Sequence, residues 1–364
     1  MREIRAGKVG YLPVFDGLRA IAVMLVLLNH YPIGYLDPLT SIIPIGHIGL
    51  HLFLVLSGFL ITSVLIETKG MLARDDGPTF GKALTNFYSR RIIRIMPIYY
   101  LLLFLEFFWG NEGFRQVVWW HAAFLSNTVS AVFSGPLATG DLIHPPTGHL
   151  WSLSIEMQFY SIWPILLLCL RTKQIIALSV LLVLLGPLSR ALFFALGYQS
   201  DVGYLPSATD MLCFGALAAM WHQGWIPQVS LRTVRALGVL GLFVFVICAT
   251  WSIQGIWYRP QVVLYPIAEG LIFSWLLLAF EGANTPPFVK LLGARPIVYI
   301  GRISYAIYLY HAFVWDTLVD HVIDISESHA LAQSALAILA TILVASVSWW
   351  MIEKPILGFR RRLT

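Results

Sequence analysis

Phe15-Asp16-Gly17-Leu18-Arg19-Ala20-Ile21-Ala22-Val23-Met24-Leu25-Val26-Leu27-Leu28-Asn29-His30 opens a stretch apolar enough and long enough to span a bilayer. It nevertheless carries Arg19 near one end and His30 near the other. Eleven helical residues make three turns plus about 20°, so both side chains share one helix face, roughly 16 Å apart along the axis. An ionisable group inside a span is costly and usually faces an interior cavity, which makes this face a candidate site. The plainer alternatives are an arginine reaching to the interface and a histidine that packs between helices.

The rest of the chain shares this character. Of 364 residues, 58% are hydrophobic and only 12% charged, with thirteen Trp. That charge fraction is about half of what soluble domains carry, so the chain reads as an all-α, polytopic integral membrane protein. Its net charge of +5 would suggest nucleic acid in a soluble protein. Here the basic residues collect in alternate loops as orientation signals, and no nucleic-acid partner is expected. Cys169, Cys213 and Cys248 lie in apolar segments without motif spacing and read as packing residues. Arg2, Arg5 and Lys8 resemble the start of a signal peptide. The apolar run after them is long and lacks a small-x-small cleavage site, so it is expected to be retained.

Ten spans are predicted, near 15–34, 47–67, 92–110, 149–170, 174–195, 207–222, 232–251, 260–280, 297–318 and 330–351. Each approaches the ~20 residues a helix needs to cross the hydrocarbon. With both termini cytoplasmic, 20 of the 24 Lys and Arg fall on the inner side, as the positive-inside rule asks. The acidic residues Asp320, Asp324 and Glu327 fall in an outer loop, which that rule permits. Counting 115–133 as an eleventh span would invert every later loop. That segment, with Trp119 and Trp120, is expected to lie on or dip into the outer face. Residues 1–364 are read as one transmembrane domain.

Helix direction sets depth. Asp16 and Arg19 fall near the cytoplasm, and His30 about four residues from the outer end of its span. His149 and Glu156, seven apart at the outer start of the fourth span, share a face. His311 in the ninth span lies at similar depth. A carboxylate near histidines can orient one of them and raise its basicity, as a general base requires, which makes Glu156 a candidate for that role. His149 and His311 also fit simple packing or carbonyl-bonding roles. Arg91 and Arg94, one turn apart where the third span leaves the cytoplasm, could clamp a phosphate or could be topology signals. Arg19 at the same depth favours an anionic ligand. His47 and His51 form an i,i+4 pair at the outer start of the second span, but no HExxH motif occurs and no metal is expected. No Walker A sequence supports nucleotide hydrolysis.

Six stretches in order resemble the membrane acyltransferase-3 family. They are Phe15–Ala20 through His30, Gly49–Thr62, Arg91–Pro97, Leu150–Glu156, Ile303–His311 and Glu353-Lys354-Pro355. The resemblance implies a ten-span enzyme of the bacterial cytoplasmic (inner) membrane. Such an enzyme moves an acyl group, most often acetyl, from cytoplasmic acyl-CoA to a hydroxyl of an extracytoplasmic carbohydrate or glycolipid. It implies acetyl-CoA or another acyl-CoA as co-substrate, and activity that depends on Arg19, His30, Arg91 and Arg94. Glu156 matches the family's acidic position. His30 would act as base or as transient acyl carrier, with Glu156 orienting or charge-balancing it, and the arginines would hold the CoA phosphates. Three positions depart from the family: His51 stands where Asp is common, Met157 replaces a frequent Glu, and Ala208 replaces a frequent Arg. Exopolysaccharide, lipopolysaccharide, peptidoglycan sugars and small molecules all remain open as acceptors. A competing class is a transporter that moves a glycan, drug or acyl group without chemistry. Such proteins often show repeated halves, and none is evident here.

Overall fold

Backbone amides in lipid have no water to bond, so the apolar segments close their hydrogen bonds internally as helices. The computed structural model describes residues 12–31, 43–109, 112–129, 148–196, 205–227, 230–253, 258–279, 287–321 and 330–360. Arg2, Arg5, Lys8, Asp324, Glu327, Arg361 and Arg362 lie outside these residues.

The longer helices are α1 (Pro13–His30), α2 (Ile45–Leu72) and α3 (Phe80–Trp109), then, after the short α4 (Glu112–Ala122), α5 (Leu150–Cys169) and α6 (Thr172–Ala195). They continue with α7 (Leu205–His222), α8 (Leu231–Ile253) and α9 (Tyr258–Ala279). After the short α10 (Pro287–Leu292) come α11 (Arg295–Arg302), α12 (Ser304–His321) and α13 (Ala330–Ser348). A π-helical turn over Trp349–Glu353 leads into α14 (Lys354–Arg360). Among the described residues eight helices are long and apolar enough to cross a membrane, and α11–α12 taken as one bent span make a ninth. α7 corresponds to the sixth expected segment. With Asp210 and His222 in its 18 residues, it falls outside that set.

Three helices differ from expectation in ways that shape the site. α3 begins at Phe80, not near residue 92, because Ala83 and Phe87 give its first turns a buried face. Arg91 and Arg94 therefore sit inside a 30-residue helix and not at its end. The ninth segment breaks by 66° between Arg302 and Ser304. There the chain presses on α1, where a Cβ on Gly301 would meet the Asp16 carbonyl oxygen at 1.7 Å. The last span passes through the π turn, in which the Lys354 N–H donates to the Trp349 carbonyl. Pro355 lacks an N–H and crowds the carbonyl four residues back, which accounts for the shift in bonding register.

α7 is the most enclosed helix and packs against α2, α6 and α9. Its contact with α2 is reciprocal: a Cβ on Gly58 would meet the Leu212 carbonyl at 1.9 Å, and one on Gly215 the Val55 carbonyl at 2.0 Å. Small residues at such crossings let two backbones meet, which is how helices associate in lipid. A buried ion pair ties α6 to α7, with Arg190 Nη2 2.6 Å from Asp210 Oδ2 and both side chains fully enclosed. The cation that balances Asp210 thus comes from a neighbouring helix, while Ala208 is buried in the apolar core. Two apolar clusters form the interior, and Phe53, Met157 and Tyr305 pack against both. Met157 thus fills the seam between them.

The 115–133 segment contains the last eight residues of α4, an 11-residue helix too short to cross hydrocarbon. Trp119 projects from it, 79% exposed. Its anchor is His121, stacked on Phe114 at 5.3 Å, with Nδ1 2.7 Å from the Ser126 hydroxyl, and Tyr99 donates to its carbonyl at 2.7 Å. Burial pushes the His121 imidazole down to about 4. A folded-state value below the unfolded ~6.5 means that stability is full above pH 6.5 and falls as pH drops toward 4. We expect acidification across that window to cost on the order of 3 kcal/mol. Thermal unfolding in detergent at stepped pH checks this, and His121→Asn should flatten the profile.

Candidate active site

The first turn of α1 is held against α10 and α11, where Gly17 leaves no room for a Cβ beside the Leu292 carbonyl. This contact fixes Asp16 and Arg19, whose Nη1 lies 3.4 Å from Asp16 Oδ1. On α3, the guanidinium carbon of Arg91 lies over two aromatic rings, 5.7 Å from the Phe87 centroid and 5.4 Å from that of Tyr160. Stacking of this kind suits a guanidinium, which keeps its edge donors available for an anion.

Arg19, Arg91 and Arg94 converge on one cavity of about 620 Å³, together with Arg90 and Arg302. Five arginines make it a strongly electropositive basin, tempered by Asp16 and Glu353 on its wall. Tyr305 and the three arginines Arg19, Arg91 and Arg94 also line a narrower chamber of about 90 Å³. The two spaces therefore share a mouth. In the chamber Ser57 and Tyr160 both donate hydrogen bonds to Glu156 Oε1. Glu156 in turn interacts electrostatically with Arg91.

His30 lies elsewhere. α1 ends at His30, with Tyr31 already extended at φ −103°, so this imidazole is exposed at the helix end and not four residues within it. Its ring meets His311 edge-on at 4.8 Å, and His311 meets His149 at 4.6 Å. A carbonyl only accepts, so each close contact to one assigns the ring proton. His30 donates from Nδ1 to the Val26 carbonyl at 2.8 Å, which leaves Nε2 as the lone-pair nitrogen of the neutral ring. His311 does the same toward Tyr308 at 2.6 Å, and its Nε2 is buried with no hydrogen-bond partner among the described residues.

This arrangement corrects the expected pairing. Glu156 does not serve His30; it faces Ser57, Tyr160 and the arginine mouth, while the ring that meets His30 is that of His311. Glu156 is six residues into α5, about 9 Å along the axis, whereas His30 is terminal on α1. The histidine cluster and the chamber communicate through Tyr308. Its hydroxyl donates to the His149 carbonyl at 2.7 Å and lies 2.5 Å from the Ser152 hydroxyl, and its ring lies 5.7 Å from His311.

Ser57, Tyr160, Tyr305, Tyr308 and Glu353 were given no role from sequence. Tyr160 carried a usable signal, one helical turn after Glu156. His51 and Glu269, a buried pair between α2 and α9, form a separate polar contact. Among the described residues no group of three or more His, Cys, Asp or Glu is arranged to hold a metal ion.

The family model described as an acyltransferase domain matches residues 12–352. The chain is 26% identical to the peptidoglycan O-acetyltransferase OatA of Listeria monocytogenes, over 95% of this chain and 56% of that protein. It is 27% identical to the O-acetyltransferase OatA of Staphylococcus aureus, over 95% of this chain and 57% of that one. The chain thus spans about half the length of the curated relatives it matches. No solved structure matches it.

Proposed function

The chain belongs to this acyltransferase family, and from that premise we propose that it transfers an acetyl group from acetyl-CoA to a carbohydrate hydroxyl across the bacterial cytoplasmic membrane. The observation that carries this reading is the basin of five arginines opening into a chamber whose far wall backs onto the histidine cluster.

Arg19, Arg91 and Arg94 supply convergent, partly desolvated donors for the phosphates of CoA, the geometry in which guanidinium–phosphate bonds are strongest. The basic end of the bundle is the cytoplasmic end by the distribution of Lys and Arg, so the donor enters from the cytoplasm. The pantetheine arm extends past Tyr305 into the chamber. His30, its Nδ1 proton committed to a carbonyl, offers Nε2 either as base or as acyl carrier. As base it takes the acceptor's hydroxyl proton while the oxygen attacks the thioester carbon. The C–S bond breaks, and the proton leaves with the thiolate as free CoA. Glu156 orders Ser57 and Tyr160 at the chamber mouth. The relatives' names make glycan hydroxyls of peptidoglycan the first acceptor to try.

Purified protein in nanodiscs, given radiolabelled acetyl-CoA and soluble peptidoglycan fragments, should release CoA and label the glycan. Labelled donor that stays intact with every carbohydrate offered would remove the reading.

A further inference from the structure

The arginine basin has two unlike walls. α1 and α3 bring arginines to it, whereas α2 brings only Val64, Thr68 and Met71. Spacings of four and three put these on one helix face, and Val64 and Met71 stay 41% and 40% exposed where they line the cavity. The neighbouring cation Lys69 is engaged elsewhere, donating to the Leu167 carbonyl of α5 at 2.7 Å. Charge also falls along the length of the basin. Arg19, Arg91 and Arg94 border the chamber as well as the basin, so they mark its inner end. On α3, Ala83 precedes Arg94 by eleven residues and lies about 16 Å nearer the cytoplasmic end. α2 runs the other way and passes from Val64 to Met71 over about 10 Å. Toward that end the lining residues are Thr68, Met71, Pro78, Ala83, Asn86 and Leu357, and none is charged.

A ligand held by its phosphates at the inner end therefore presents an uncharged, largely apolar group to this shelf. Asn86 adds an amide there, able both to donate and to accept at the edge of a planar base. The basin of about 620 Å³ is roughly four times the ~150 Å³ cavity that holds benzene. On that scale it takes about 24 heavy atoms, close to the size of a nucleoside diphosphate. Resting on the donor reading above, we propose that this shelf is the nucleoside site of the donor, with Met71 and Pro78 against the base and Asn86 at its edge. The half of CoA remote from the reacting thioester then supplies binding energy of its own, and thioesters without a nucleoside are poor donors.

The test sets ADP and inorganic pyrophosphate as competitors of acetyl-CoA, with the protein in nanodiscs and peptidoglycan fragments as acceptor. Both competitors carry a diphosphate, and only ADP carries a nucleoside. The readout is the inhibition constant of each against CoA release. Covering one face of a purine takes about 100 Å² of surface from water, worth roughly tenfold to a hundredfold in affinity. ADP should therefore bind at least tenfold more tightly than pyrophosphate. Met71→Ala and, separately, Asn86→Ala should each cut that ratio at least threefold. Both side chains are exposed, so neither change empties core space, and the ratio is internal to each variant. Arg91→Ala should weaken both competitors and leave the ratio within twofold. Wild-type inhibition constants for ADP and pyrophosphate within threefold of each other overturn the nucleoside site while leaving the donor reading intact. So does a ratio that neither shelf variant lowers. Failure to consume acetyl-CoA at all instead removes the donor reading and the nucleoside site with it.

Discussion

His30→Gln should abolish carbohydrate acylation while leaving the protein folded and able to bind acyl-CoA. Glutamine can keep the bond to the Val26 carbonyl through its amide N–H, the contact that His30 makes at 2.8 Å. It has no basic lone pair to replace Nε2 and no capacity to carry an acyl group. General-base catalysis contributes about 10²- to 10⁴-fold, and turnover should fall into that range at saturating donor. His30 is exposed at the end of α1, so the substitution empties no core space and membrane abundance should not change. The donor basin is separate from this end of the bundle, so KM for acetyl-CoA should shift little. Acylation persisting within a few-fold of normal would take the chemistry away from His30.

The second large effect is expected at the other end. Arg91→Ala should raise KM for acetyl-CoA by about tenfold to a hundredfold, since a hydrogen bond to a charged group is worth about 1.5–3 kcal/mol. Arg91→Lys should recover only part of this, because an ammonium cannot reproduce a planar fork lying over the Phe87 and Tyr160 rings. The contrast between the two sites is the informative part: loss at His30 should fall on kcat and loss at Arg91 on KM. Equal effects on both parameters from both variants would mean that donor binding and chemistry are not spatially divided.

Much of this division was legible in the sequence because a helix converts spacing into depth. Arg19, Arg91 and Arg94 were expected at one level near the basic end, and all three line one cavity. His30 was expected at the opposite end with His149 and His311, and the three rings form a cluster. Azimuth between helices was not legible. Glu156 seemed to belong with His30 because their estimated depths agreed. That estimate placed the end of the first span beyond His30, and nothing in a one-dimensional pattern shows that Ser57 and Tyr160 face the carboxylate. The pairing of Arg190 depends on azimuth in the same way: its partner Asp210 lies on the next helix, and the pair is wholly enclosed. The start of α3 was missed for another reason: Phe80–Arg90 is polar enough to read as a loop, and only its buried Ala83 and Phe87 reveal a helical face.

The central claim is that donor and acceptor meet the protein from opposite sides of the membrane. Proteoliposomes with uniformly oriented protein can test it, with acetyl-CoA confined to the compartment facing the arginine basin and peptidoglycan fragments to the other. The arrangement of basin, chamber and histidine cluster predicts acetylated glycan in the compartment that never held CoA. Acetylated glycan formed only when donor and acceptor share one compartment would contradict it.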